Sequence, residues 1–298
     1  MMVNVQTQVS LAEHCRFGVG GTADYFAIVT DEAEFLQVLA YAQQRQLRFF
    51  VFSGGNNLFF DDAGFRGLVI KLQPGTYEIA PTRNAVTVFA GNELGALVRD
   101  LARQNLGGLT FLANIPGSVG GAVVGNAGCY GQAMKDVLVS AEIYDVKAST
   151  KINTAPLDLS FSYRHSRLKT DTHHVVLAAT LRITECNGTA VLREIDDELS
   201  LRLSKHPHDA KCAGSFFTNP PSRQPAWELI TAAGMASAQT GGAAISSRHA
   251  NFLINTGKAT SADILALARR IREQVHTNCG IELTTEARYI SPTGIAEI

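Results

Sequence analysis

In the first half of the chain, short apolar runs alternate with helical apolar faces. Residues 22–29, TADYFAIV, read as a strand. A helix follows with Phe35, Val38, Leu39 and Ala42 at the three-to-four spacing of one buried face. Asp31 and Glu34, three apart, form a capping pattern at its start. RFFVF from Arg48 predicts the next strand, closed by the turn Gly54-Gly55-Asn56-Asn57, and GLVIKL from Gly67 predicts another, buried one. Together they make a small β-α-β unit.

Pro74-Gly75 breaks this pattern. VTVFAG from Val86 predicts a strand, and Leu94, Leu97, Val98 and Leu101 mark one face of a helix. VLVSAEIYDV and VVLAATLRI predict later strands. From about Glu185 helical segments dominate, over residues 191–203 and 226–233. A further helix starts with Ser261 as N-cap and stops at Gly280, and IELTTEARYI then predicts a final strand. The expected division is into residues 1–73, 74–184 and 185–298.

A length of 298 residues is consistent with two or three domains. Charged residues are 18% of the chain and hydrophobic ones 46%, which excludes extended disorder. The formal net charge is −1, so no basic surplus points to nucleic acid or an anionic membrane. No run of about 18 apolar residues predicts a membrane span. The first residues lack the basic start and apolar stretch of a signal peptide. Cys15, Cys129, Cys186, Cys212 and Cys279 are scattered and odd in number, against a disulfide scaffold or a zinc site. A cytoplasmic protein is expected.

The most unusual segment is residues 114–131, NIPGSVGGAVVGNAGCYG, with glycine at six of 18 positions. Such density serves neither helix nor strand stability and predicts backbone wound closely around a ligand. The turn at Gly54 to Asn57 offers consecutive N–H groups suited to an anion, although, taken alone, a plain strand-to-strand turn is the better reading. Gly18-Val19-Gly20-Gly21-Thr22-Ala23 fits a dinucleotide fingerprint by spacing only, because a strand-like segment follows where a helix is needed. No GxSxG surrounds Ser215, and the eight histidines show no metal-binding spacing.

Seven segments carry a resemblance: RFGVGGTADYF, FSGGNNLFFDDAGFRGLVIKL, NIPGSVGGAVVGNAGCYG, YRHSRLK, GSFFTNP, GGAAISSRHANFLIN and GIELTTEAR. In this order, over about residues 14–290, the chain resembles the UDP-N-acetylenolpyruvoylglucosamine reductase family. The resemblance implies an α+β fold in three domains. Two would be FAD-binding domains of the vanillyl-alcohol-oxidase (PCMH) type, and the third a C-terminal α+β substrate-binding domain. It implies non-covalent FAD, NADPH as reductant and a UDP-sugar enolpyruvate as substrate, in peptidoglycan precursor synthesis. By motif, FAD-binding positions are Gly54, Gly55, Asn56, Asn57 and Leu58, then Ile115, Pro116, Gly117, Ser118, Gly120, Gly121 and Asn126. Implied catalytic residues are Arg164, Ser215 and Glu286, and implied substrate-binding residues are Lys205, Asn219 and His249. Arg164 and Ser215 lie 51 positions apart, which resembles the shorter subclass without an inserted tyrosine loop.

Those residue types suit reduction of an enol ether. Hydride addition to the vinyl group leaves negative charge that a fixed cation, Arg164, can stabilise. A protonated Glu286 can hydrogen-bond the same group, and Ser215 is the candidate proton donor. The chain departs from the family pattern at several points. Asn56 stands for the usual serine, Arg16-Phe17 for a threonine-arginine pair, Thr218 for a lysine and Thr284 for a glutamate. Ala236 replaces a lysine expected to face the substrate diphosphate. The rivals are another FAD oxidoreductase of the wider superfamily, which would lack the Arg164, Ser215 and Glu286 set, and a flavin- or nucleotide-sugar-binding relative without turnover.

Overall fold

A computed structural model describes residues 4–207, 209–221 and 224–298. Its first unit is a four-stranded sheet in the order Val5–Ser10, Thr22–Val29, Phe65–Leu72, Phe49–Phe52. The first pair is antiparallel and the other two pairs are parallel. The helix Glu32–Gln44 starts where expected: Asp31 accepts from the Glu34 N–H at 2.8 Å, and Glu34 accepts from the Thr30 N–H at 2.8 Å. Its buried face is Phe35, Val38, Leu39 and Ala42.

This sheet is buried on both faces, which explains why Phe65–Leu72 is almost continuously apolar. Leu68, Ile70 and Leu72 join one hydrophobic core and the alternating Val69 joins the other. The first core continues into a five-stranded antiparallel sheet, ordered Thr150–Thr154, Leu138–Asp145, His174–Arg182, Ala85–Phe89, Tyr77–Ile79. The helix Leu94–Arg103 covers it, burying Leu94, Leu97, Val98 and Leu101. The helix Gly188–Lys205 joins the same core through Ile195, whose carbonyl accepts from Asn114 Nδ2 at 3.0 Å. The division expected at 184/185 assigns this helix to the third unit, whereas its buried side chain packs into the middle one.

The second core joins the first sheet to a four-stranded antiparallel sheet of Lys211–Cys212, His249–Asn255, Ala243–Ser246 and Gln239–Thr240. The helices Ala226–Ala232 and Ser261–Cys279 pack on it. The longer one is capped by Thr260 in a capping box with Asp263, not by Ser261. Ser261 instead donates through its N–H and hydroxyl to Asp62 Oδ2 at 2.8 and 2.7 Å, tying this helix to the first unit. Gly280, with φ +67°, ends it as expected.

Two other expectations change. The glycine-rich segment contains a short helix, Val119–Gly125, N-capped by Ser118, whose hydroxyl accepts from the Gly121 N–H at 3.2 Å. Glycine is needed at 120 because a Cβ there would lie 2.8 Å from that of Ala90, in the turn just past the strand Ala85–Phe89. Of the strand expected over residues 281–290, only Arg288–Ser291 forms, pairing in parallel with Leu58–Phe60 of the first unit. The preceding Thr284 to Glu286 is drawn out of line: the Thr284 carbonyl accepts from the Thr218 N–H at 2.9 Å, and the Glu286 N–H donates to the Phe216 carbonyl at 2.8 Å.

Candidate functional site

The three units meet around a cavity of 670 Å³. One wall is the turn that ends Phe49–Phe52, with Gly54, Gly55, Asn56, Asn57 and Leu58 all lining it. Gly55 has φ +64° and its carbonyl accepts from the Arg16 N–H at 3.0 Å, so the turn is pinned against the first unit. A second wall is the glycine-rich segment, where Ile115, Pro116, Gly117, Ser118, Gly120 and Gly121 line the cavity. A Cβ added at Gly117 would meet no heavy atom within 4 Å and would stand in the cavity instead. A flat or diphosphate-bearing cofactor fits such a wall: small residues, backbone amides and the N-terminal cap of a helix face one space.

Asn126 is placed differently. It is buried, in the left-handed region at φ +44°, and caps the end of the Val119–Gly125 helix. Its Oδ1 accepts from the Lys135 N–H at 3.0 Å, and its Nδ2 donates to the Ser162 carbonyl at 2.8 Å. Both ends of the amide are used inside the fold. The second bond braces the turn in which Ser162 and His165 exchange backbone hydrogen bonds of 3.0 and 3.2 Å.

That turn presents Arg164, which itself takes φ +54°. Arg164 Nε lies 3.4 Å from Glu286 Oε1, and the two side chains remain 27% and 21% exposed, toward the cavity both line. Arg164 Nε is buried without a hydrogen-bond partner among the described residues. Lys169 also lines the cavity and donates to the Arg164 carbonyl at 3.1 Å. Burial holds the Glu286 carboxyl above its ordinary value, against the pull of the Arg164 and Lys169 charges. Burial likewise lowers Lys169, although Glu286 opposes the shift.

Ser215 lines the cavity next to Gly214, which has φ +75°. The residues after it are fixed by Asn251, a buried side chain that sequence reasoning missed. Asn251 Oδ1 accepts from the Phe217 N–H at 2.9 Å and its Nδ2 donates to the Phe217 carbonyl at 2.8 Å. The Asn251 carbonyl accepts from the Phe216 N–H at 2.8 Å. Since Phe216 also receives Glu286, one peptide unit holds the serine and the glutamate segments together. The available signal was a polar residue within the apolar run ANFLI. Asn57 and Arg288 complete the frame, with Asn57 Nδ2 donating to the Glu286 carbonyl at 3.2 Å and the Arg288 N–H to the Asn57 carbonyl at 3.0 Å.

The expected substrate-binding residues do not line the cavity. Lys205 is exposed at the end of its helix. Asn219 is exposed and accepts from the Ala226 N–H at 3.0 Å, anchoring the start of a helix. His249 stacks on His206 at 5.2 Å and meets Phe252 edge-on at 5.0 Å; it is these two neighbours that reach the cavity. Burial pushes His249 down to about 4. Ala236 is exposed in a turn away from the cavity wall.

Comparison with known proteins agrees with this architecture. Residues 23–152 match the profile of an FAD binding domain, and residues 206–290 match that of the UDP-N-acetylenolpyruvoylglucosamine reductase C-terminal domain. The chain is 36% identical over 287 residues to the UDP-N-acetylenolpyruvoylglucosamine reductase of Heliobacterium modesticaldum, covering 96% of this chain and 91% of the relative. The Protochlamydia amoebophila protein of that name is 38% identical over 288 residues, covering 96% and 93%. The crystal structure of the Thermus caldophilus reductase superposes with a TM-score of 0.79 at 30% identity, over 97% of this chain and 99% of that one. The expected α+β fold with PCMH-type FAD-binding units is therefore present, and the chain belongs to the UDP-N-acetylenolpyruvoylglucosamine reductase family.

Proposed function

We propose that this protein reduces the enolpyruvyl ether of UDP-N-acetylglucosamine to UDP-N-acetylmuramate, with FAD bound in the cavity and NADPH as reductant, in the cytoplasm. The observation that carries the reading is the convergence of Arg164, Glu286 and Ser215 on a cavity whose other walls are two glycine-rich loops. Family membership supplies the substrate class.

FAD, held by the two glycine-rich walls, would supply the hydride chemistry that couples NADPH oxidation to reduction of the vinyl group. The two glycine-rich walls orient it and shield it from water. Arg164 faces the substrate carboxylate, where its fixed charge stabilises the enolate-like electron pair left next to that group. Glu286, whose carboxyl burial holds above its ordinary value, donates a hydrogen bond to the same group in its protonated form. Lys169 secures the Arg164 main chain and adds positive potential. Ser215 Oγ donates the proton to the second vinyl carbon and regains one from solvent. Gly214 and Asn251 set the position of that hydroxyl.

The division into a flavin-binding pair of units and a third, substrate-binding one is part of the proposal. The Gly188–Lys205 helix connects them, packed on the second unit and leading into the third. Among the described residues no helix is long and apolar enough to cross a membrane. Small molecules are the proposed partners, with no nucleic acid and no membrane.

The test is direct. Purified protein should be yellow and release FAD on denaturation. Anaerobic NADPH should bleach the flavin, and the enolpyruvyl sugar should restore its colour with formation of UDP-N-acetylmuramate. A flavin that bleaches but is reoxidised only by oxygen would overturn the substrate assignment.

A further inference from the structure

We infer that Arg288 is a positioning residue for the reacting cation Arg164, acting through Lys169, so that one side-chain relay sets Arg164 against the flavin-binding turn. The inference rests on the functional reading above and extends it to a residue with no part in the chemistry itself.

Arg288 opens the strand Arg288–Ser291 and sits opposite Leu58 of the first unit in parallel register. Its N–H donates to the Asn57 carbonyl at 3.0 Å, so its main chain is fixed to the turn from Gly54 to Asn57. Its side chain leaves that unit: Nη2 donates to the Lys169 carbonyl at 3.1 Å. Lys169 ends the short helical turn Arg167–Lys169, and its Nζ donates to the Arg164 carbonyl at 3.1 Å. Three hydrogen bonds in series thus run from Asn57 to Arg164, and all four residues line the cavity.

The acceptors are unusual for half-buried cations. Among the described residues no carboxylate oxygen lies within 4.0 Å of the charged nitrogens of Arg288 or Lys169. Each donates to a main-chain carbonyl instead. A carboxylate would neutralise the cation and accept over a wide range of directions. A carbonyl leaves the charge intact and accepts near its lone pairs, so the bond fixes the peptide that carries it.

The Arg164 peptide needs such a hold. At φ +54° it keeps a conformation that a non-glycine residue retains only where its surroundings enforce it. Arg164 Nε makes no hydrogen bond among the described residues, so the aim of the side chain follows its main chain. Asn126 and the exchange between Ser162 and His165 fix the flanks of the turn, whereas the Lys169 bond falls on Arg164 itself. Arg288 holds the Lys169 peptide and so sets the reach of that ammonium. The far end of the relay is the turn proposed to receive the flavin. The relay therefore fixes the cation relative to the reacting ring, where an error of about 1 Å costs on the order of 10²-fold in rate.

The experiment uses FAD-loaded protein carrying Arg288→Gln, Lys169→Met, both together, and the charge-keeping Arg288→Lys and Lys169→Arg. Anaerobic stopped-flow absorbance reads flavin bleaching by NADPH and reoxidation by the enolpyruvyl sugar. Hydrogen exchange with mass spectrometry reads the backbone of residues 162–166. Each neutral single variant should lower the limiting reoxidation rate about 10- to 100-fold, with bleaching and the half-saturating sugar concentration little changed. The double variant should be no slower than the slower single one, because both cut the same relay. The charge-keeping variants should recover part of the rate, and exchange at 162–166 should rise in both neutral ones. Losses that multiply in the double variant would reveal two separate electrostatic effects and overturn the inference. Normal reoxidation in Arg288→Gln would also overturn it, as would loss of FAD or of bleaching, which would make Arg288 a flavin contact. Where Arg288→Gln does not fold, Arg288→Lys with and without Lys169→Met gives the same cycle. If unaltered holoprotein does not reduce the enolpyruvyl sugar at all, the functional reading fails. Exchange at 162–166 then decides the relay, and unchanged exchange in Arg288→Gln overturns it.

Discussion

Arg164 Nε and Glu286 Oε1 lie 3.4 Å apart across the cavity edge, yet neither residue's position is set by the other. Arg164 is held by its own turn at φ +54°, by Lys169 on its carbonyl and by Asn126 on the carbonyl of Ser162. Glu286 is held through its backbone by Phe216 and Asn57. Two backbone frames, joined where Arg288 Nη2 donates to the Lys169 carbonyl at 3.1 Å, bring a permanent cation to a carboxyl that burial inclines to keep its proton.

The charge state of Glu286 sets a pH dependence. Its raised value means the folded protein binds a proton more tightly than the unfolded chain does. The associated stability is present at low pH and is lost as pH rises from the ordinary carboxylate range through the raised value. Reoxidation by substrate should fall over that same rise, because the ionised form cannot donate. Glu286→Gln, which keeps a donor but does not titrate, should remove this limb from the pH profile while lowering the rate. An unchanged limb in the variant would place the titrating group elsewhere.

Ser215→Ala should leave flavin bleaching by NADPH near its normal rate. Reoxidation by the enolpyruvyl sugar should slow about 10²- to 10⁴-fold, the usual size of a general-acid contribution. Anaerobic stopped-flow absorbance separates the two. Loss of bleaching instead of reoxidation would remove Ser215 from the proton-donor role.

Gly117→Val places a branched side chain in the cavity without touching any protein atom within 4 Å of its Cβ. Bound FAD should be lost while circular dichroism stays close to normal, and the apoprotein should unfold at somewhat lower denaturant because φ +158° at this position disfavours a side chain. Full flavin content in the variant would remove Gly117 from the cofactor wall.

Asn251→Ala deprives both backbone groups of Phe217 of their partners. At about 1–3 kcal/mol for a buried group left unsatisfied, urea unfolding should shift clearly toward lower denaturant. The loop carrying Ser215 loosens with it, so reoxidation should suffer more than bleaching. Equal loss in both half-reactions would point to global destabilisation alone.

His249, pushed down to about 4, is neutral in the fold, with burial the main cause and the nearby His206 charge the next. The unfolded chain binds its proton at higher pH, so this contribution to stability is lost as pH falls from about 6.5 toward 4. His249→Phe keeps the aromatic stack and removes the titration. The drop in urea midpoint between pH 7 and pH 4.5 should be smaller in the variant, and an equal drop would assign the acid sensitivity to other groups.

Much of the fold was legible because it is local. The Glu32–Gln44 helix, its Asp31 cap and its buried face follow from spacing over a few residues. The strand Thr22–Val29 does too, and the order of seven segments carried the family resemblance. Other features depend on contacts between distant positions. Only the folded chain shows that Ser261 leaves the capping role to Thr260 because Asp62 claims it, or that the segment before Arg288 bends to pair with Phe216 and Thr218. Asn126 matched a cofactor position by motif, but tertiary contacts spend both ends of its amide on the turn that carries Arg164. The basic residues near residue 205 divide in the same way: Arg202 lines the cavity while Lys205, the last residue of the helix, is exposed, and composition cannot tell them apart. Residue types and spacing determined which chemistry this chain carries. Which side chains face the cavity was decided by packing across its three units, where each buried polar group takes whichever partner folding brings within reach.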